Sequence, residues 1–136
     1  MPPILQIQVQ RAPGDCTITA LSMYLGKPYE DVLGAAVAAT KDGRVHHNGM
    51  LTRQMKRTAK ALGFDLTLRR SVDLEHDDGL LSVKKEVASA DKEFGEHIVY
   101  LKAGLIFDTD GTVWEPEVFL QHYRYRPLSL LVREEV

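Results

Sequence analysis

A single cysteine, Cys16, stands in a chain of 136 residues. An internal disulfide is therefore excluded, and the expected setting is the reducing cytoplasm. The chain also lacks a bias of charge: 17 Lys and Arg stand against 19 Asp and Glu, a formal charge of -2. That argues against nucleic acid as a default partner, which would call for a basic face. No apolar stretch nears the ~18 residues of a membrane span, so no membrane association is expected. Met1-Pro2-Pro3 offers neither the basic start nor the long apolar core of a signal peptide. Repeats, low-complexity tracts and linkers are missing too. What is present is 44% hydrophobic residues, enough for one core, and residues 1–136 read as a single domain.

The surroundings of the cysteine carry the most information. The stretch reads Gln10-Arg11-Ala12-Pro13-Gly14-Asp15-Cys16-Thr17-Ile18-Thr19-Ala20-Leu21. Pro13-Gly14 breaks whatever precedes it. Asp15 is a good N-cap type, and the run from Thr17 to Leu25 is apolar at helical spacing. Cys16 thus falls on the first turn of a helix, where unpaired N–H groups and the positive end of the helix dipole stabilise a thiolate. A cysteine nucleophile needs that state. Gln10, six residues upstream, can bring its amide to the same point and donate to an oxyanion.

A base for such a thiol lies far downstream. His97 opens the β-type run His97-Ile98-Val99-Tyr100-Leu101, Lys102-Ala103-Gly104 turns the chain, and Leu105-Ile106-Phe107-Asp108 follows as a second short strand before Asp110-Gly111 turns it again. Such a hairpin sets His97 and Asp108 across from each other. Asp108 can then accept from the imidazole and fix its tautomer and orientation. Asp110 competes for that role but suits the turn better.

The rest of the chain reads as helices first and strands later. Ile4 to Gln10 alternates like an extended segment. A first helix spans about Cys16 to Leu25, with Gly26 as its stop. Pro28 opens a second helix through about Ala39. Thr40 to Asn48 is a polar loop, and a third helix runs from about Met50 to Leu62. Strands are expected at Phe64–Leu68 and Leu80–Val83. Lys84 to Glu96 is a charged loop or frayed helix. After the hairpin come a short helix from Trp114 to about His122 and a last strand from Leu128 to Arg133. This order gives an α+β fold.

Each of these residues also has a plainer reading. A lone cysteine on an apolar helix is often a small buried hydrophobe. His97 can be a strand-end histidine satisfied by a carbonyl, Asp108 a turn residue, and Gln10 a solvent-facing position. Asp15 reads as a cap rather than a reactive group. His46 and His47, with His76 beside Asp77-Asp78, match no helical His-x-x-x-His or Cys/His zinc spacing, and read as solvated loops; no metal or cofactor is expected. Lys56, Arg57 and Lys60, with Arg69 and Arg70 beyond, form the only basic concentration. That is a solvated face, or a receiver for an acidic segment or a nucleic-acid backbone. Trp114 packs a core or covers the His-Asp pair. Tyr123-Arg124-Tyr125-Arg126 reads as alternating sides of a sheet approach and names no chemistry.

The order Gln, Cys at the head of a helix, a distant His opening a strand and an Asp on the next resembles the papain-like cysteine peptidases. The nearer likeness is to the small peptidases that remove double-glycine leaders from bacteriocins, and to their stand-alone bacterial and phage relatives. Three segments carry it: Gln10 to Gly26, continuing through Lys27-Pro28-Tyr29-Glu30-Asp31-Val32; Gly49-Met50-Leu51 to Leu62-Gly63-Phe64; and His97 to Gly111. The resemblance implies a papain-like α+β fold, with N-terminal helices carrying the cysteine against an antiparallel sheet carrying the histidine and aspartate. It implies Cys16 as nucleophile, His97 as general base and acid, Asp108 as orienting group and Gln10 as oxyanion donor, acting on a peptide or protein substrate. Thr17 stands where many relatives have glycine, and the papain-type tryptophan after the cysteine is absent. Two other readings keep the same scaffold: a thiol acyltransferase or transglutaminase-like enzyme, and an inert binding module.

Overall fold

The computed structural model describes residue 9 and residues 15–86 and 96–134. It is a mixed helix and antiparallel-sheet fold. Helices α1 (Cys16–Leu25), α2 (Tyr29–Thr40), α3 (Val45–Asn48) and α4 (Thr52–Ala61) come first. Strands β1 (Leu66–Arg69), β2 (Gly79–Lys85), β3 (Glu96–Lys102), β4 (Leu105–Phe107) and β5 (Val113–Trp114) follow, then α5 (Pro116–Tyr123) and β6 (Tyr125–Arg133). The six strands form one sheet in the order β1-β6-β2-β3-β4-β5, every pairing antiparallel. None of the helices among the described residues is long and apolar enough to cross a membrane.

Strand β3 is apolar without interruption from Ile98 to Leu101 because the sheet is covered on both faces. Along β3, Ile98 and Tyr100 join a core with α1, α2 and α4, whereas Val99 and Leu101 join a second core with Phe119 of α5. Leu80 and Leu81 of β2 divide in the same way, as do Leu131 and Leu130 of β6. Helix α1 is buried along nearly its whole length and rests on β3. Its far end is tied to β6, where the Arg133 backbone N–H donates to the Tyr24 hydroxyl at 2.7 Å and the Arg133 guanidinium to the Tyr24 carbonyl at 2.7 Å. This fixes the axis along which Cys16 is presented.

Helix α1 has the bounds expected from its apolar run, and Gly26 ends it in the left-handed region at φ 66°. Other boundaries moved for identifiable reasons. The polar segment after α2 contains α3, because Val45 is fully buried and pulls a turn of helix onto the core. Trp114 belongs to β5, and α5 begins only at Pro116, whose fixed φ and missing N–H suit a helix start. Strand β6 begins at Tyr125, ahead of the expected Leu128. Pro127 is accommodated at a register shift against β2, where Ser82 pairs with Ser129 but Val83 with Pro127. Lys84 and Lys85 belong to β2 and Glu96 to β3. Glu86 follows β2 and its N–H donates to the Arg124 carbonyl at 2.9 Å; residues 87–95 of the expected charged loop, and the Ile4–Gln10 segment apart from Val9, lie outside the described residues.

Candidate active site

The β3–β4 hairpin is closed by Ala103 (φ 53°) and Gly104 (φ 75°), the pair of positive φ angles that marks a two-residue type I′ turn. Its register pairs Lys102 with Leu105, Leu101 with Ile106 and Tyr100 with Phe107. Counting on, Asp108 falls level with Val99, and His97 stands two residues farther along the same face. The two side chains are therefore diagonal neighbours, a spacing that long side chains bridge. The Nε2 of His97 lies 2.7 Å from Oδ1 of Asp108. That same oxygen accepts the Thr109 backbone N–H at 2.7 Å. Behind it, the Asp108 backbone N–H donates to the Thr112 carbonyl at 2.9 Å and Gly111 N–H to the Asp108 carbonyl at 3.1 Å. The carboxylate is thus aimed by a tight turn.

Asp110 does the other job. Its carboxylate accepts the Thr112 N–H at 2.9 Å and the Thr112 hydroxyl at 2.5 Å, which closes the turn. Val9, the residue before Gln10, lies against this turn: a Cβ built on Gly111, whose φ is +89°, would stand 3.1 Å from Val9 Cγ2. Gln10 itself lies outside the described residues.

Cys16 opens α1 and is half-buried. Its side chain hydrogen-bonds His97. With Nε2 committed to Asp108, Nδ1 is the ring nitrogen left for the sulfur. Burial alone would push the imidazole toward its neutral form. The hydrogen bonds from Asp108 and Cys16, with the charges of both, outweigh burial and raise the His97 pKa to about 9. Asp108 and Cys16 thus flank the imidazole and favour its protonated form. Three of the four residues singled out in the sequence, Cys16, His97 and Asp108, meet in one place.

Asp15 departs from expectation. Its carboxylate makes no capping bond to α1. The side chain is fully buried, and Oδ2 accepts the hydroxyl of Tyr29 at 2.5 Å. Tyr29 is the first residue of α2, so the bond ties the heads of the two helices together directly beside Cys16.

The sequence also left two tyrosines unassigned. The ring of Tyr125 stacks on His97, centroids 6.2 Å apart and planes at 25°. Burial raises its phenol pKa, and the charge of Asp108, Tyr123 and Cys16 adds to that. Tyr123 is raised by burial and then by Asp108 and Asp110. The alternating Tyr123 and Tyr125 were visible in the sequence. Arg124 between them sits at φ 56°, where α5 ends and β6 begins, and this turn swings both rings toward the site. Trp114 packs on Phe119, His122 and Tyr123, and its Nε1 donates to the Thr112 hydroxyl at 2.7 Å. It is one shell away from the His97–Asp108 bond.

His122 packs on Trp114 and Tyr123, and the other three histidines stand apart from this centre. His76 pairs with Asp73 at 3.0 Å, and Asp77 pairs with Arg69. His46 and His47 lie side by side in α3, the Nδ1 of His46 buried without a hydrogen-bond partner among the described residues. Among the described residues no group of three or more His, Cys, Asp or Glu side chains is placed to hold a metal ion. No family model matches the chain, and no curated protein matches it either.

Proposed function

We propose that the protein is a papain-like cysteine peptidase that cleaves a peptide or isopeptide bond. The observation that carries the reading is the convergence of Cys16, His97 and Asp108 from a helix N-terminus and two strands into one hydrogen-bonded line. In the proposed cycle His97 and Cys16 act as an imidazolium–thiolate pair. The thiolate adds to the carbonyl carbon. The oxyanion is received by the Cys16 backbone N–H, which as a first-turn group has no intrahelical acceptor, and by Gln10, whose role rests on the family resemblance. The tetrahedral intermediate collapses as His97 passes its proton to the leaving amine, giving an acyl-thioester. His97, now neutral, takes a proton from water as the hydroxide adds to the thioester; collapse releases the acid and expels the thiolate, which restores the imidazolium–thiolate pair. Asp108 holds the ring in register throughout.

The test is cleavage of a mixed peptide library, read by mass spectrometry, by wild type and Cys16→Ala. The reading requires products from wild type and a loss of at least about four orders of magnitude in Cys16→Ala, with the fold unchanged by circular dichroism. Retained cleavage in Cys16→Ala refutes it. Products joined to an added amine rather than to water would replace the hydrolase with an acyltransferase.

A further inference from the structure

We infer that α4 carries a docking surface for an acidic segment of a protein partner. The surface is independent of the thiol chemistry, and a failure of the peptidase reading leaves it standing. Arg53, Lys56, Arg57 and Lys60 recur at i, i+3, i+4 and i+7 and form one outward stripe, all four exposed, opposite the buried Met55, Thr58 and Ala59. From residue 43 to residue 64 the chain has no aspartate or glutamate, although it carries 19 elsewhere. Among the described residues no carboxylate forms an ion pair with any of the four.

The arrangement works against the helix that bears it. Like charges at i,i+3 and i,i+4 repel. Arg53 sits in the first turn, where the helix dipole favours an acid, and α4 has no acid there. Helix α2 follows the ordinary pattern, with Glu30 and Asp31 in its first turn. A solvated face gains nothing from that inversion, since mixed charges solvate a helix equally well. A partner that brings the missing carboxylates does account for it.

The geometry favours a short acidic peptide over a polynucleotide. The stripe is about 10 Å long, seven helical rises, comparable to the ~8 Å Debye length at physiological ionic strength. A short segment feels the stripe alone, whereas a long polyanion also meets the repulsion of a chain with formal charge -2. Helix α4 offers no aromatic side chain on which bases would stack.

Fluorescence anisotropy with a labelled glutamate-rich peptide tests this. Wild type should bind it, and R53Q/K56Q/R57Q/K60Q should bind at least about tenfold more weakly. R53E/K56E/R57E/K60E, which reverses the whole stripe, should gain binding to a lysine-rich peptide. The glutamine variant should melt no lower than wild type, because substitution removes repulsion and keeps helix propensity. Absence of peptide binding, equal binding by the glutamine variant, a lower melting temperature for it, or tighter binding of an oligonucleotide or anionic vesicle of matched charge would overturn the inference.

Discussion

Among the described residues there are two histidine–aspartate pairs, and they share chemistry but not circumstance. His76 and Asp73 are three residues apart in a loop, 3.0 Å between their atoms, with side chains 76% and 57% exposed. His97 and Asp108 come from two strands of a hairpin, 2.7 Å apart, with side chains 21% and 8% exposed. Asp73 raises the pKa of His76 through its hydrogen bond and charge, but water screens that pair on every side. The sheet dehydrates His97, and its second nitrogen meets a sulfur rather than solvent. A carboxylate beside an imidazole is therefore common chemistry. What makes one pair a candidate catalytic unit is a third group on the far side of the ring and a backbone that aims the carboxylate.

The comparison breaks most severely at Asp108. Asp108→Asn removes the charge but keeps the shape, and turnover should fall by about two to four orders of magnitude, measured as kcat on any substrate the library assay yields. The same variant should bring the His97 pKa, followed by NMR titration of the ring, down from about 9. A linked effect on stability follows. The folded-state pKa of His97 lies above its ordinary 6.5, so the stability gained from its proton is complete below pH 6.5 and is lost as pH rises through about 9. The loss is on the order of 3 kcal/mol, and chemical denaturation across that window should show it in wild type and less of it in Asp108→Asn, where only Cys16 still raises the imidazole.

Tyr29→Phe is a smaller break on the other side of the nucleophile. It removes the 2.5 Å hydrogen bond to the buried Asp15 carboxylate and should cost about 1–3 kcal/mol by urea denaturation. The smallest effect belongs to the exposed pair: His76→Ala should leave both melting temperature and activity within experimental scatter. A large loss there would show that burial is not what separates the two pairs.

The difference between what the sequence announced and what it concealed follows the same division between local and distant. Helix α1 was legible because its apolar run, its breaker at Pro13-Gly14 and its stop at Gly26 all act over a few residues. The hairpin was legible because Ala103-Gly104 and Asp110-Gly111 lie between alternating apolar runs, and its register alone brings His97 to Asp108. The side chain of Asp15 was misread, because the choice between capping α1 and accepting from Tyr29 depends on how two helices pack. Tyr125 went unassigned for a related reason. It reaches His97 only because β6 lies near β3 through β2 in the finished sheet, a relation that no short window of sequence holds. Trp114 was placed in a helix by the proline after it, when pairing with β4 had already claimed it for a strand.

The most direct test of the central claim is the rate of iodoacetamide alkylation of Cys16 against pH, in wild type and in His97→Ala. An imidazolium–thiolate pair predicts rapid alkylation of the folded wild type at neutral and mildly acidic pH, and a His97→Ala profile confined to alkaline pH. Identical profiles, or a Cys16 that reacts only once the protein is unfolded, would contradict it.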